Sequence, residues 1–320
     1  MHKTQFNDKL TYYAKVLVVI SIVLLVFGVF LEIRDNHHLI NPATDTTFPL
    51  EEENFISIDN TEIILGDNSA DLSEESSSSN LKVETENDWE NLNNILKKQL
   101  QDLFEISIYY GKDTEGYSVI SDGKKVDTVP LTDSKVIYSQ LKCLKNILYL
   151  YPPDLFREIK NGGIPLSIYL IDSYSDKSIT GITDSNNNYA IISLATIYPI
   201  EESFFHESYH YIERYMIKRG VNFINWNSFN PVNFSYGTIY TNLSYSNTFS
   251  EKSFFVNNYA QTSPEEDRAS TFEYMMAANK AKCLNKKNPV WEKANRIALT
   301  IETILNCVRP NYTEHWERYL

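Results

Sequence analysis

Apolar and polar positions first set apart the N-terminal part of the chain. Residues 16–31 form a nearly unbroken apolar run, and the stretch 12–33 comprises 22 residues, enough as a helix to cross a bilayer core of about 30 Å. Lysines precede this stretch and acidic residues follow it, so the positive-inside rule predicts a cytoplasmic segment over 1–11 and a signal anchor over 12–33, with the remainder outside the cell. The alternative is a secretory signal that is cleaved, although no small-x-small cleavage site follows Phe30.

The next segment is acidic and rich in serine. Residues 35–90 carry 15 acidic side chains and one lysine, a net charge of −14, against −13 for the whole chain. So much charge with few clustered apolar residues predicts a solvated, disordered linker over 34–87. The folded part is therefore expected over 88–320, and it is nearly neutral.

The pattern within 88–320 changes from mixed to helical. Apolar spacing near 3.6 residues predicts helices, and short β-branched runs flanked by Gly, Asn or Asp predict strands. The predicted helices are 88–104, 134–150, 152–160, 199–219, 264–280 and 291–307, and the predicted strands are 105–110, 164–171 and 189–194. A long aromatic, Asn-rich loop covers 222–258. The expected fold class is α+β, with a small mixed sheet lobe followed by a helical lobe.

One of these helices carries the sequence His206-Glu207-Ser208-Tyr209-His210, which is an H-E-x-x-H motif. Histidines four residues apart on a helix share a face, so both imidazoles can reach one metal ion. Glu207 lies beside that ion, where it can take a proton from metal-bound water as a general base. The alternative is a pair of half-buried histidines on a helix that faces the core. The spacing, with Glu207 between the histidines, favours a site for Zn²⁺.

A catalytic zinc usually has three protein ligands and one open position, so a third ligand is needed. Spacing alone leaves several candidates downstream: Glu213, Glu251, Glu265, Glu266, Asp267, Glu273 and His315.

The segment from Tyr259 to Glu273 resembles the second zinc motif of the lethal-factor-like metallopeptidases, a branch of the gluzincins that includes the Pro-Pro endopeptidases. In that family a tyrosine precedes a glutamate ligand by seven residues, and Glu266 follows Tyr259 by seven residues. The resemblance implies a zincin-like metallopeptidase domain over 88–320, with His206, His210 and Glu266 as the Zn²⁺ ligands. It further implies that Glu207 is the general base and that Tyr259 stabilises the oxyanion.

Glu266 and Tyr259 each have an alternative. Ser263-Pro264-Glu265-Glu266 reads as a helix capping box, in which the Glu266 side chain would return to the cap; Glu265 or Glu273 would then be the ligand. The oxyanion role of Tyr259 could fall instead to Tyr236 or Tyr240.

The chain also departs from the family pattern in two places. Ser270 stands where the family often has an acidic residue, and Glu213 where it has an aspartate. Glu273 lies on the same helical face as Glu266 and can orient a histidine in place of the missing acid; the alternative is a solvated surface carboxylate.

Charge and cysteine content narrow the classes of function. No basic excess, basic-aromatic stripe or glycine-rich phosphate loop is present, which argues against nucleic acid as a partner. Cys143, Cys283 and Cys307 form no C-x-x-C pair, and free thiols are expected.

Two functions fit these observations. The first is a membrane-anchored, extracellular zinc endopeptidase that hydrolyses a peptide or protein substrate. If residues 190–194 form a sheet edge, that edge can hold an extended peptide; the alternative is an internal strand. The second function is a non-catalytic adhesion or binding protein at the cell surface, with a structural or inactive zinc site.

Overall fold

The structure, a computed structural model, describes residues 85–152, 154–237, 252–284, 286–308, 313–318 and 320. Within these residues the helices are α1 Glu86–Phe104, α2 Ser134–Leu148, α3 Leu155–Asn161, α4 Ile200–Lys218, α5 Pro264–Met276, α6 Ala278–Ala281 and α7 Pro289–Ile304. The strands are β1 Ser107–Tyr109, β2 Ser118–Ser121, β3 Lys124–Pro130, β4 Leu166–Tyr174, β5 Gly181–Ser185 and β6 Ala190–Ala195. Every described strand precedes α4, and the described regular structure after it is helical, as the α+β prediction required.

The strands form one mixed sheet in the order β2-β3-β4-β6-β5, with β1 beside the first part of β4. β4 pairs in parallel with both β1 and β6, whereas β5 pairs antiparallel with β6. The hypothesis that residues 190–194 form the sheet edge is wrong, because β6 is paired on both sides. The edge strand on that side of the sheet is β5, which the sequence pattern did not predict.

The main core lies between the sheet and the helices. α4 is its central helix and packs against β5, β6, α2 and α5. Phe204, Phe205 and Tyr209 on α4 are fully buried, together with Ile168 and Ile192 on the sheet. A second, smaller cluster joins the β2–β3 hairpin to the ends of β4 and β6.

Local signals account for the limits of α4. Pro199 precedes the first turn, where a missing N–H costs nothing, and Glu201 and Glu202 suit the positive end of the helix dipole. Gly220 follows the helix with φ of 93°, a conformation that ends helices and favours glycine. α4 is buried on nearly every side, so most of its polar side chains are expected to have partners within the protein.

Several predicted elements have different bounds in the structure. The predicted helix 264–280 is divided at Ala277, whose extended backbone (ψ 104°) separates α5 from α6. The predicted strand 105–110 begins only at Ser107, since Glu105 adopts a left-handed conformation at the end of α1. α1 itself begins at Glu86, two residues earlier than predicted.

The predicted membrane span 12–33 lies outside the described residues, as does the predicted linker up to residue 84. Among the residues that the structure describes, no helix combines the length and apolar character needed to cross a bilayer.

Candidate metal site

His206, His210 and Glu266 come together where α4 meets α5. Nε2 of His206 lies 2.9 Å from Oε2 of Glu266, and Nε2 of His210 lies 3.6 Å from the same oxygen. The potential ligand atoms of the three residues all lie within 4.8 Å of one another. Two imidazole nitrogens and one carboxylate oxygen form the donor set of catalytic zinc sites with a fourth, open position. The residues present therefore fit Zn²⁺.

The structure separates the two roles that the sequence allowed for Glu266. Its backbone N–H donates to the Ser263 hydroxyl at 3.2 Å, which caps α5. Its side chain does not return to the cap but contacts the two histidines. The cap and the site thus use different atoms of one residue, and the helix start fixes the carboxylate opposite α4.

Apart from Glu273, which contacts the other nitrogen of His206, the other candidates for the third ligand have partners away from the histidines. Glu213 pairs with Arg268, Asp267 pairs with Lys293, and the His315 ring contacts the Met276 carbonyl. Glu265 is largely exposed and lies 3.4 Å from Arg268, and Glu251 lies outside the described residues. Among the described candidates, Glu266 is the carboxylate that contacts both histidines of α4.

The ion-pair geometry perturbs the titration of the cluster. Burial alone would lower the pKa of His206, but the hydrogen bonds to Glu266 and Glu273 outweigh burial and place that pKa well above its usual range. Burial alone would raise the pKa of Glu266, yet the two histidines lower it below the usual range for a glutamate. In the metal-free protein, both shifts favour a charged pair of His206 and Glu266 at neutral pH.

Glu207 lies on α4 beside the edge strand β5. Thr183 donates from its hydroxyl to the Glu207 backbone carbonyl at 2.9 Å, which ties the two elements together. The Glu207 side chain is buried, and within the described residues its carboxylate has no hydrogen bond or ion pair. A carboxylate in this state is available to a water molecule or substrate.

Tyr259 lies in a short 3-10 helix, Tyr259–Gln261, just before α5. The centroid of its ring is 5.7 Å from that of His206. Of the two alternatives, Tyr236 donates its hydroxyl to Asp267 at 2.6 Å, and Tyr240 lies outside the described residues. Tyr259 is thus the described candidate next to the histidines.

Glu273 is buried and lies on the far side of the His206 ring. Its Oε2 is 3.5 Å from Nδ1 of His206, and its Oε1 accepts from Lys280 at 2.8 Å. Lys280 also pairs with Glu202 at 2.8 Å. The interpretation of Glu273 as a solvated surface carboxylate is wrong, because only 7% of the residue is exposed.

Glu213 stands at the position where the family pattern has an aspartate. It forms a buried ion pair with Nε of Arg268, and the Arg268 guanidinium lies 4.4 Å above the ring of Phe223. Glu213 thus joins α4 to α5 beyond the histidines and contacts neither of them.

Lys293 is fully buried beside Asp267, and the sequence alone does not indicate a role for it. Oδ2 of Asp267 accepts from Lys293 at 2.7 Å, from Trp226 at 2.8 Å and from Tyr236 at 2.6 Å. Lys293 also donates to the Phe254 carbonyl at 2.7 Å. This cluster, called the Asp267 network below, joins α5 and α7 to both described arms of the loop, 222–237 and 252–258. The residues of this network lie far apart in sequence, so no local sequence pattern predicts their contact.

Comparison with known proteins identifies no family for this chain. No protein-family model matches the chain, and no curated protein matches it. A solved structure from Bacteroides caccae, described as a "putative zinc-binding metallo-peptidase", is similar to this chain. The match covers 69% of this chain and 87% of the other chain, with 15% sequence identity and a TM-score of 0.46. At this identity and score, the similarity assigns neither a family nor an activity to the chain.

Proposed function

We propose that the domain over 88–320 is a zinc-dependent metalloendopeptidase of the gluzincin type, similar to the lethal-factor-like metallopeptidases. One observation carries this proposal: Glu266 Oε2 contacts Nε2 of both His206 and His210. Among the seven candidate ligands, the family resemblance predicts Glu266 from its spacing to Tyr259. The contact supports the proposal independently of this spacing. In the alternative role of Glu266, as part of a capping box, its side chain would lie at the helix cap and not at the histidines.

The residues around the ligands suit peptide hydrolysis. Zinc held by the three ligands would lower the pKa of bound water and polarise the scissile carbonyl. Glu207 accepts a proton from the attacking water and passes it to the leaving amine. The Tyr259 hydroxyl donates to the carbonyl oxygen as negative charge develops there.

The position of β5 supports a peptide or protein substrate. As the edge strand, β5 has one row of backbone groups that no other described strand pairs with. An extended peptide can add to that row with its backbone held in register. Because Thr183 on β5 is bonded to the backbone of Glu207, a peptide docked there lies close to the general base.

The setting of the domain is also part of the proposal. With residues 12–33 as a membrane anchor and 34–87 as a tether, the domain lies outside the cell and acts on substrates near the membrane. Release of the chain after cleavage of a secretory signal is the alternative.

Zinc content and peptidase activity of the full-length protein in detergent test the proposal. We expect one zinc per chain, lost in His210→Ala and in Glu266→Ala, and cleavage of an unstructured peptide library. Glu207→Gln should retain the zinc but lose at least about a hundredfold in turnover, through loss of general-base catalysis.

Other outcomes would reject parts of the proposal. Zinc retained in Glu266→Ala would mean that another residue is the third ligand. Zinc without cleavage of any peptide would favour the binding protein, and full activity in Glu207→Gln would reject the catalytic role of Glu207.

A further inference from the structure

Gly181, the first residue of β5, lies directly against the side chain of Glu207. A Cβ atom built on Gly181 would lie 3.0 Å from Cγ and 3.4 Å from Oε1 of Glu207. Carbon atoms that are not bonded pack best at about 3.5–4.0 Å. The absence of a side chain at Gly181 therefore leaves the space in which the Glu207 carboxylate lies.

Backbone conformation does not explain this glycine. Its φ lies outside the left-handed region that favours glycine, unlike those of Gly163 and Gly220. A glycine inside a strand weakens the strand, and it often marks a place where another group approaches closely. At Gly181 that group is the side chain of Glu207.

The contacts around Glu207 limit which atoms can move when residue 181 is larger than glycine. The Thr183 hydroxyl, on the same strand, donates to the Glu207 backbone carbonyl at 2.9 Å, so moving α4 away from β5 would break this hydrogen bond. On the other side, the added Cβ would touch the Leu194 side chain at 3.4 Å, which is ordinary van der Waals contact. The movable atoms are those of the Glu207 side chain, and their movement displaces the carboxylate.

We propose that Gly181 is a positioning residue for Glu207, which sets the place of the general base by leaving room for its carboxylate. This inference rests on the proposed function. None of the three predicted zinc ligands meets the added Cβ within the three nearest contacts. Residue 181 thus acts on the base and not on the metal.

Gly181→Ala tests this inference in the full-length protein. A displacement of about 1 Å in an active site can cost about a hundredfold in rate, and Glu207 needs to move by only part of that distance. We expect kcat to fall about tenfold, with KM and zinc affinity changed less than about twofold. Gly237→Ala is the matched control, because a Cβ there meets none of the residues that the structure describes within 4 Å.

A combination with Glu207 variants separates positioning from general damage. In the Glu207→Gln background, Gly181→Ala should have no further effect on residual turnover. The close contact with Glu207 should make Gly181→Ala lower the Tm of the otherwise wild-type protein, but not in the Glu207→Ala background, where the crowded atoms are absent. The inference is overturned if kcat is unchanged in Gly181→Ala, or if the loss persists in the Glu207→Gln background. Absence of peptidase activity in the wild type would instead reject the proposed function, while the Tm cycle would still report the contact.

Discussion

Glu273 lies 3.5 Å from His206, measured from Oε2 to Nδ1. The opposite nitrogen of the same ring, Nε2, contacts Glu266. An imidazole with a carboxylate at Nδ1 is held in one tautomer and orientation, so that Nε2 is ready for a metal ion. We expect Glu273 to take the role that the family resemblance gives to an acidic residue at the position of Ser270, one turn earlier on α5.

Glu273→Gln is therefore expected to weaken zinc binding about 10- to 100-fold without removing a ligand. Competition with a chromophoric chelator measures the affinity. Glu292→Gln on the exposed side of α7 is the control and should bind zinc as the wild type does. Equal affinity in Glu273→Gln and the wild type would show that the contact with His206 has no orienting effect.

Zinc affinity should rise with pH. The pKa of His206 in the metal-free protein is raised, as is that of His210, because contacts with carboxylates outweigh burial. A metal binds neutral imidazole, so binding to the protonated histidines releases one or two protons. At pH values below these pKa values, the zinc affinity should increase by up to about tenfold per pH unit for each proton released. Calorimetry in buffers of different ionisation enthalpy counts the protons, and a pH-independent affinity would contradict the charged state of His206.

The same shifts define the stability of the metal-free protein. The raised pKa of His206 contributes stability that is complete below its unfolded value of about 6.5 and lost as pH rises through the folded value. The lowered pKa of Glu266 contributes stability that is present above its unfolded value of about 4.3 and lost as pH falls through the folded value. Urea unfolding with a chelator present should thus show this contribution at its largest between about pH 4.3 and 6.5.

Asp267→Ala should destabilise the domain by about 3–5 kcal/mol, because it leaves the fully buried Lys293 without its counter-charge. Urea unfolding at neutral pH measures the loss. Asp102→Ala breaks the exposed pair with Lys98 and serves as the control, with an expected cost of about 0.5 kcal/mol or less. A similar cost for both variants would mean that the Asp267 network does not stabilise the fold.

Tyr259→Phe should lower kcat about 10- to 100-fold and leave the zinc content unchanged, through loss of a hydrogen-bond donor to the developing oxyanion. Tyr236→Phe is the comparison, since its hydroxyl contacts Asp267 and its loss should lower stability rather than kcat. Wild-type kcat in Tyr259→Phe would show that another group stabilises the oxyanion.

Local patterns predicted the helices that carry the site. α4 and α5 follow from apolar spacing, Pro at or before the first turn and the Ser263 cap, all of which act within a few residues. The approach of His206, His210 and Glu266 was predictable only through the motif and the spacing from Tyr259. α4 and α5, the helices that carry the candidate site, both begin at local signals. Most of the site could therefore be predicted from the sequence.

The strands β2, β3 and β5 were not predicted, for two different physical reasons. The β2–β3 hairpin has an Asp122-Gly123 turn, with both residues in the left-handed region; Asp-Gly is a strong hairpin signal, so this element could have been found. β5 has no such signal, because Gly181 and Asp184 disfavour strands. Its pairing with β6 decides its conformation, and so the contact of Gly181 with Glu207 was invisible in the sequence.

The division of the predicted helix at Ala277 has a consequence for how the site responds to its surroundings. Beyond the break, Lys280 pairs with both Glu273 and Glu202, so alternating charges run from Glu202 through Lys280 and Glu273 to the imidazole of His206. Glu202 is 51% exposed, and dissolved salt screens exposed charges far more than buried ones. One end of this row lies in solvent and the other at the proposed metal ligand, so we expect the proposed zinc affinity to depend on ionic strength.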